Sequence, residues 1–414
     1  MPAPRTDRPP RRIAFLIAGF GMFGPFSIDA IFPGFRLIAK DLAASPVMMQ
    51  QIISVYLVGF GLMSLFHGPL SDALGRRKVV LWSTVVFVLA SAGAALSSSL
   101  EILLAWRLIQ GCSAGGGVII GRAIIRDLAT GPVAQQMIAQ VMMIFAVSPA
   151  VAPIAGAFLC GLSGWRAVFW AVGLFAGLVL LVAGLALPES LPVDHRHRFN
   201  FGSLLQTYRR ITSDHQFMLL SMSNALNFGA LFLYISSAPR FIFDFLHLSS
   251  HEFYWLFVPA VTGIVAGSAA AMRTSGRFAD SIVLRLGFGI MMTAWIANSA
   301  MTAVLHYPPL PWAVLPIGVH AFGMALNQPL LTLLALERFP KQRGAASSMQ
   351  AFLSLGVNAA VAGLVSAAVS INPLTLSAAA FALNATGLIL WLLTGRAKEV
   401  SAHQVIADET IIAE

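Results

Sequence analysis

The sequence predicts an all-α polytopic membrane protein, with twelve transmembrane helices arranged as two bundles of six. Three observations carry this. Mean hydropathy over the 414 residues is +0.80 and only 10% are charged, against about 25% in soluble domains, so hydrocarbon is the main solvent. Apolar runs recur along the whole chain, each near the roughly 20 residues that cross a bilayer. The longest polar interruption, 188–214, divides those runs six and six.

The runs fall at 13–35, 47–67, 79–100, 102–121, 134–160 and 167–187, then at 216–238, 253–272, 286–305, 312–336, 344–370 and 374–394. Four arginines (Arg5, Arg8, Arg11, Arg12) precede the first run, as in a secretory signal, but the run is too long for one and eleven others follow. Cys112 and Cys160 both fall inside predicted spans, which argues against a disulfide framework. The net charge of +9 raises the question of nucleic acid, and the placement of the 26 basic residues answers it. With a cytoplasmic N-terminus, the outer face holds only Arg36, Lys40, Arg166 and Arg240. Arg107 lies inside a span, and all the others face the cytoplasm. The positive-inside rule therefore predicts that both termini are cytoplasmic, and it accounts for the basic pI without nucleic acid.

The predicted organisation is an N-terminal bundle (1–187), a cytoplasmic linker (188–214) with a short surface helix at FGSLLQTYRR, and a C-terminal bundle with a short tail (215–414). Two six-helix halves suit a parallel-repeat transporter rocking about a central site, for which one chain is sufficient as a monomer. A weak trace of the repeat links HGPLSDALGRRKVVLW with SGRFADSIVLRLGF.

Four segments concentrate the chemistry. In the first run, FGPFSIDAIFPGF keeps one carboxylate, Asp29, with Pro33 one turn on. The stretch GPLSDALGRRK (68–78) follows the second run. There Gly68 allows a close exit from the helix, Asp72 can face a helix N-terminus, Gly75 allows a turn, and Arg76, Arg77 and Lys78 sit at the surface, where they also serve as ordinary topology signals. In the fourth run, Arg107 is expensive in hydrocarbon unless it faces a cavity or a carboxylate. Gln110 shares its face, and Gly111, Gly115, Gly117 and Gly121 favour close helix contact. The fifth run places Pro149 and Pro153 one turn apart beside small residues Ser148, Ala152, Gly156 and Ala157.

Asp29 lies about 24 Å along an outward-running helix and Arg107 about 9 Å from the outer side of an inward-running one, so both fall in the outer third of a core about 30 Å thick. They are the only charged residues inside the predicted spans. They are expected to share a polar cavity, with Arg107 biasing the field at Asp29 directly or through Gln110 and water. An apolar cavity penalises a charged carboxylate, so such a group can trade protons with whichever side it faces. A structural ion pair or a helix cap is the bland alternative.

GPLSDALGRRKVVL resembles the cytoplasmic loop signature of the major facilitator superfamily, G-x-L-a-D-r-x-G-r-k-x-x-l. The resemblance implies a conformational latch between the two halves, built on Gly68, Asp72, Gly75, Arg76 and Arg77. The fourth run is similar to the superfamily's fourth-helix motif, with its arginine and following Gln-Gly. Ser148, Ala152, Pro153, Gly156 and Ala157 resemble the antiporter signature G-x-x-x-G-P-x-x-G-G, with smallness kept where glycine is replaced. SIDAIFPGF, GRAIIRDL, GWRAVFWAV and LPESL resemble Bcr/CflA-type drug:proton antiporters of the bacterial inner membrane, and ERFPKQRGAASSM is the best match in the second half. Some polyspecific relatives carry a second membrane acid two turns before the aspartate; Gly21 stands there in this chain, which implies neutral or zwitterionic cargo.

The function expected from this resemblance is proton-coupled export of drugs or other small amphipathic molecules, with protons and membrane lipid as the other partners. The substrate cavity is expected between the halves. Its candidate residues are Phe26, Asp29, Gln110 and Met143 from the first half, with Asn224, Asn227 and Tyr234 from the second. The tenth run adds His320, Asn327 and Gln328 as candidates by polarity. A proton-driven importer, or a carrier of an endogenous metabolite, would share the fold and the acid. An enzyme would need a cluster of nucleophile, base or metal ligands, and no H-E-x-x-H or G-x-x-x-x-G-K-[ST] pattern occurs, so no cofactor is expected.

Overall fold

The structure, a computed structural model, describes residues 11–129, 131–196 and 199–395. Their regular structure is helical throughout. The first half comprises α1 (Arg11–Asp29), a 3-10 turn (Phe32–Gly34), α2 (Phe35–Asp41), α3 (Pro46–Leu74), α4 (Arg76–Ala95), α5 (Leu100–Leu128), α6 (Gly131–Ser163) and α7 (Arg166–Ala186). The linker carries a 3-10 turn (Val193–His195) and α8 (Phe201–Thr212). In the second half, α9 (His215–Ser236) runs through α10 (Ala238–Arg240) into a π-helical turn (Phe241–Phe245). It is followed by α11 (Tyr254–Thr274), α12 (Asp280–Leu305), α13 (Leu315–Leu336), α14 (Arg343–Ala360), a second π turn (Val361–Val365), α15 (Ser366–Val369) and α16 (Pro373–Leu393). Eleven segments of the described residues are long and apolar enough to cross a membrane. The remaining predicted span is α6, 33 residues long and unbroken at Pro149 and Pro153.

Polar caps place several boundaries. Ser45, Ser99, Asn200 and Asp214 each accept a hydrogen bond from a backbone N–H in the first turn of α3, α5, α8 and α9, and Asn372 forms a capping box with Thr375 at α16. The first span differs from a simple helix. It stops at Asp29 and restarts after the 3-10 turn holding Pro33, which has no N–H to donate.

Two expectations for 68–78 need correction. The segment is not a loop, because α3 continues to Leu74 and only Gly75, with φ of +100°, separates it from α4. Gly68 lies inside that helix, and a Cβ there would meet nothing within 4 Å, so it serves no close approach. Gly75 does need to be glycine, on both its positive φ and the side chains of Glu189 and Arg196 crowding it.

The halves meet chiefly through α3 against α14 and α6 against α11. At the face opposite the linker, Gln51 Nε2 donates to the Gly363 carbonyl (2.9 Å) and Ser54 Oγ to that of Ala359 (2.9 Å). At the linker face, Ser64 Oγ reaches the Ser348 carbonyl at 3.5 Å. Tyr208 of α8 donates to the Leu65 carbonyl at 2.6 Å, and burial pushes its phenol up to about 12, so the donor stays protonated. The predicted surface helix at 201–210 therefore exists and is pinned to α3.

Candidate functional site

The site begins where α3 and α5 cross. A Cβ on Gly111 would overlap the Tyr56 carbonyl, and one on Gly59 would lie 2.5 Å from the Leu108 carbonyl oxygen, so only glycines let these backbones touch. That closeness brings Arg107, fully buried, onto α3. Its Nε donates to the Ile52 carbonyl at 3.0 Å and its guanidinium lies 4.3 Å from the centre of the Tyr56 ring. Nη1 donates to Gln110 Oε1 at 2.6 Å, and Gln110 Nε2 in turn donates to Ser91 Oγ of α4 at 2.7 Å. A buried cation costs several kcal/mol unless it is paired or hydrogen-bonded. Here a carbonyl, an amide and an aromatic face do that work, while Nη2 finds no partner among the described residues.

Asp29, 5% exposed, is the last residue of α1. Against that end packs α6, where Gly156 is so close that a Cβ would overlap the Ala30 carbonyl. Ala152 and Ser148, one and two turns back on the same stripe, are also buried, and Ser148 Oγ has no partner among the described residues. Pro153 lies within the same stretch of α6. Asp29 forms no ion pair or hydrogen bond with any described residue.

No direct contact joins Asp29 to Arg107, and Gln110 faces α4 rather than α1. Tyr56 lies under the Arg107 guanidinium, and its buried hydroxyl, like that of Ser27 near the end of α1, finds no hydrogen-bond partner among the described residues. Sequence reasoning missed Tyr56, Ser27 and Ser91. A lone tyrosine in an apolar run has no local signal, although it is the one phenol within that span.

The other candidates separate by half. Phe26 stacks on Phe175 of α7, ring centres 6.2 Å apart, and the side chain of Met143 lies outside the described residues. In the second half, Asn227 is buried, accepting from Asn384 Nδ2 at 2.9 Å, while its carbonyl pairs with His320 Nε2 at 3.1 Å. Tyr234 accepts from Asn298 Nδ2 at 2.7 Å and stacks on Trp295. Asn224 reaches only Thr332 Oγ1, at 3.4 Å, Asn327 donates to the Leu284 carbonyl, and Gln328 is exposed. These groups are hydrogen-bonded in separate clusters inside the second half, with no described hydrogen bond to the Arg107 network.

At the linker face, Arg76 pairs with Asp72 at 2.5 Å and Asp127 at 3.2 Å, while its N–H donates to Glu189 Oε1 at 2.9 Å. Ser190 Oγ donates to Asp127 (2.9 Å), and Arg77 Nη2 to the Gly184 carbonyl (2.6 Å). Three stretches quoted separately from the sequence, GPLSDALGRRK, GRAIIRDL and LPESL, thus converge on one residue, Arg76, the first two through its guanidinium and the third through its backbone N–H. These ion pairs hold the first half and the start of the linker; none reaches the second half among the described residues.

The helical architecture has counterparts among known proteins. A family model described as Major Facilitator Superfamily matches residues 13–363. The chain belongs to the Major Facilitator Superfamily. The uncharacterized MFS-type transporter YdgK of Bacillus subtilis is 32% identical over 358 residues, covering 85% of this chain and 88% of that protein. Multidrug resistance protein D of Escherichia coli is 30% identical over 77% of this chain and 79% of its own. A bicyclomycin resistance protein homolog of Haemophilus influenzae is 24% identical over 83% and 86%. Among solved structures, the human organic anion transporter MFSD10 shares the fold, with a TM-score of 0.70 at 20% identity, over 94% of this chain and 100% of that one. The chain is therefore a superfamily transporter of the type found among bicyclomycin and multidrug resistance proteins, not an enzyme, and its substrates are small molecules.

Proposed function

We propose that this protein exports drugs or other small amphipathic molecules from the cytoplasm in exchange for protons, by alternating access, as a monomer in the bacterial inner membrane. On this reading the linker face and both termini are cytoplasmic, and Asp29 is the proton-binding carboxylate. One observation carries the proposal: a buried carboxylate without a described partner ends α1, directly against Gly156 of the small-residue stripe that resembles an antiporter motif. The names of the relatives support drugs as cargo.

The geometry suggests a working sequence. Open to the outside, Asp29 accepts a proton, since a low-dielectric site disfavours the carboxylate and no cation touches it. Open to the cytoplasm, it releases the proton as substrate enters. Arg107 acts across the Tyr56 ring, so a small shift of α1 against α3 changes how strongly its charge is felt at Asp29. Rocking the two halves supplies that shift.

The test uses inverted membrane vesicles carrying a proton gradient, with chloramphenicol, bicyclomycin and an organic cation added in turn. Dissipation by a compound with wild type but not with Asp29→Asn supports the proposal. Equal dissipation by both proteins assigns Asp29 a structural role and overturns the coupling scheme.

A further inference from the structure

At the face opposite the linker, a cavity of about 330 Å³ lies between the two halves. Its walls come from α2 and the start of α3 on one side and from α10, the Phe241–Phe245 π turn and Ser370 on the other. That volume is within the range of small-molecule sites.

The cavity's charges are unevenly satisfied. Arg36 of α2 crosses to Asp244 of the π turn at 2.6 Å and lies 4.3 Å from the centre of the Phe243 ring, so these two charges cancel. Arg240, beside them, makes one hydrogen bond, to the Ser370 carbonyl at 2.7 Å, and no ion pair among the described residues. Gln50 is 95% buried in the wall, and its Oε1, a hydrogen-bond acceptor, has no partner among the described residues. A guanidinium with spare N–H groups beside an aromatic wall forms a receptor for a carboxylate on an apolar body. Nothing in the proton-coupling reading uses these groups.

We propose that this cavity is a second ligand site, which binds the carboxylate of an amphipathic molecule on Arg240 with its apolar part against Phe243. Both halves contribute to the walls, so an occupant holds them together at this face. A ligand that prefers one arrangement shifts the equilibrium toward it.

The test is calorimetric titration of the full-length protein in lipid nanodiscs with 2-naphthoate, and separately with the neutral 2-naphthalenemethanol. Naphthoate is expected to bind wild type at least tenfold more tightly than the alcohol does. Arg240→Gln is expected to remove that preference and Arg240→Lys to restore part of it. Ala39→Trp fills the cavity without touching its charges and should abolish binding, which decides the matter should Arg240→Gln not fold. The proposal is overturned by absence of naphthoate binding, by equal binding of acid and alcohol, or by an unchanged affinity in Arg240→Gln or Ala39→Trp. The measurement needs no proton gradient, so its outcome is separate from that of the export experiment.

Discussion

Gly156 of α6 rests directly on the backbone carbonyl of Ala30, one residue beyond Asp29, with no room for a side chain between the two helices. Glycine there is a packing requirement that also fixes the environment of the carboxylate. Gly156→Ala should lower thermal stability in detergent by about 1–3 kcal/mol, the usual cost of overpacking. Gly161→Ala, in the same helix with open space around it, should be neutral or stabilising by up to about 1 kcal/mol. Equal effects of the two would show that α1 and α6 are not in contact at Gly156.

The Arg107, Gln110 and Ser91 chain behaves as one unit on this geometry. Arg107→Met leaves Gln110 Oε1 without its donor, and Gln110→Ala strips Arg107 of one of its two acceptors. Each single change should cost about 1–3 kcal/mol. The double variant should fall short of the sum by about 0.5 kcal/mol or more, as contacting residues do. A double-mutant cycle by chemical denaturation measures this, and strict additivity would count against the network.

Arg76 is held more firmly by Asp127 than by Asp72, because Asp127 is the less exposed of the two and also accepts from Ser190. Asp127→Ala should cost about 1–3 kcal/mol, as for hydrogen bonds to charged groups. Asp72→Ala, at a pair half open to solvent, should cost under about 1 kcal/mol. The ranking is read from the two melting temperatures, and the reverse order would refute it.

Asp214 supplies a pH signature on the linker face. Burial raises its carboxyl, but hydrogen bonds from Arg338 and the Phe217 N–H outweigh this and hold it below the usual carboxylate range. The folded-state value lies under the unfolded one, so the contribution is complete above the unfolded range and disappears as pH falls through the folded value. With Arg338 well exposed, it amounts to under about 1 kcal/mol. The stability advantage of wild type over Asp214→Asn should therefore be constant from neutral pH to about pH 5 and shrink below about pH 4. A gap that grows on acidification would contradict the pairing.

The predicted spans agree with the helices to within a few residues at most ends, because hydropathy over about 20 residues and polar caps such as Ser45 and Asn372 are local properties. The long α3 was less legible. Its last two turns, Gly68 to Leu74, read as loop because glycine, proline, serine and aspartate interrupt the apolar run, yet a helix emerging from the hydrocarbon no longer needs apolar residues to persist. Asp29 and Arg107 stood out as costly charges in apolar runs, and both prove to be buried. Tyr56 did not stand out, since its role comes from lying under Arg107, which is 51 positions away in the chain and beyond any local pattern.

By itself the sequence determined that this chain lives in a membrane, how many times it crosses, and which few residues are too polar for their surroundings. Those are consequences of transfer free energy, which each segment carries independently. Only the tertiary structure decided which polar groups meet. It set Tyr56 under Arg107, turned Gln110 toward Ser91, gathered Asp127 and Glu189 around Arg76, and left Arg240 without a counter-charge among the described residues beside a cavity between the halves. Partnership depends on helix crossing points, and those are set by where glycines such as Gly59, Gly111 and Gly156 let two backbones touch.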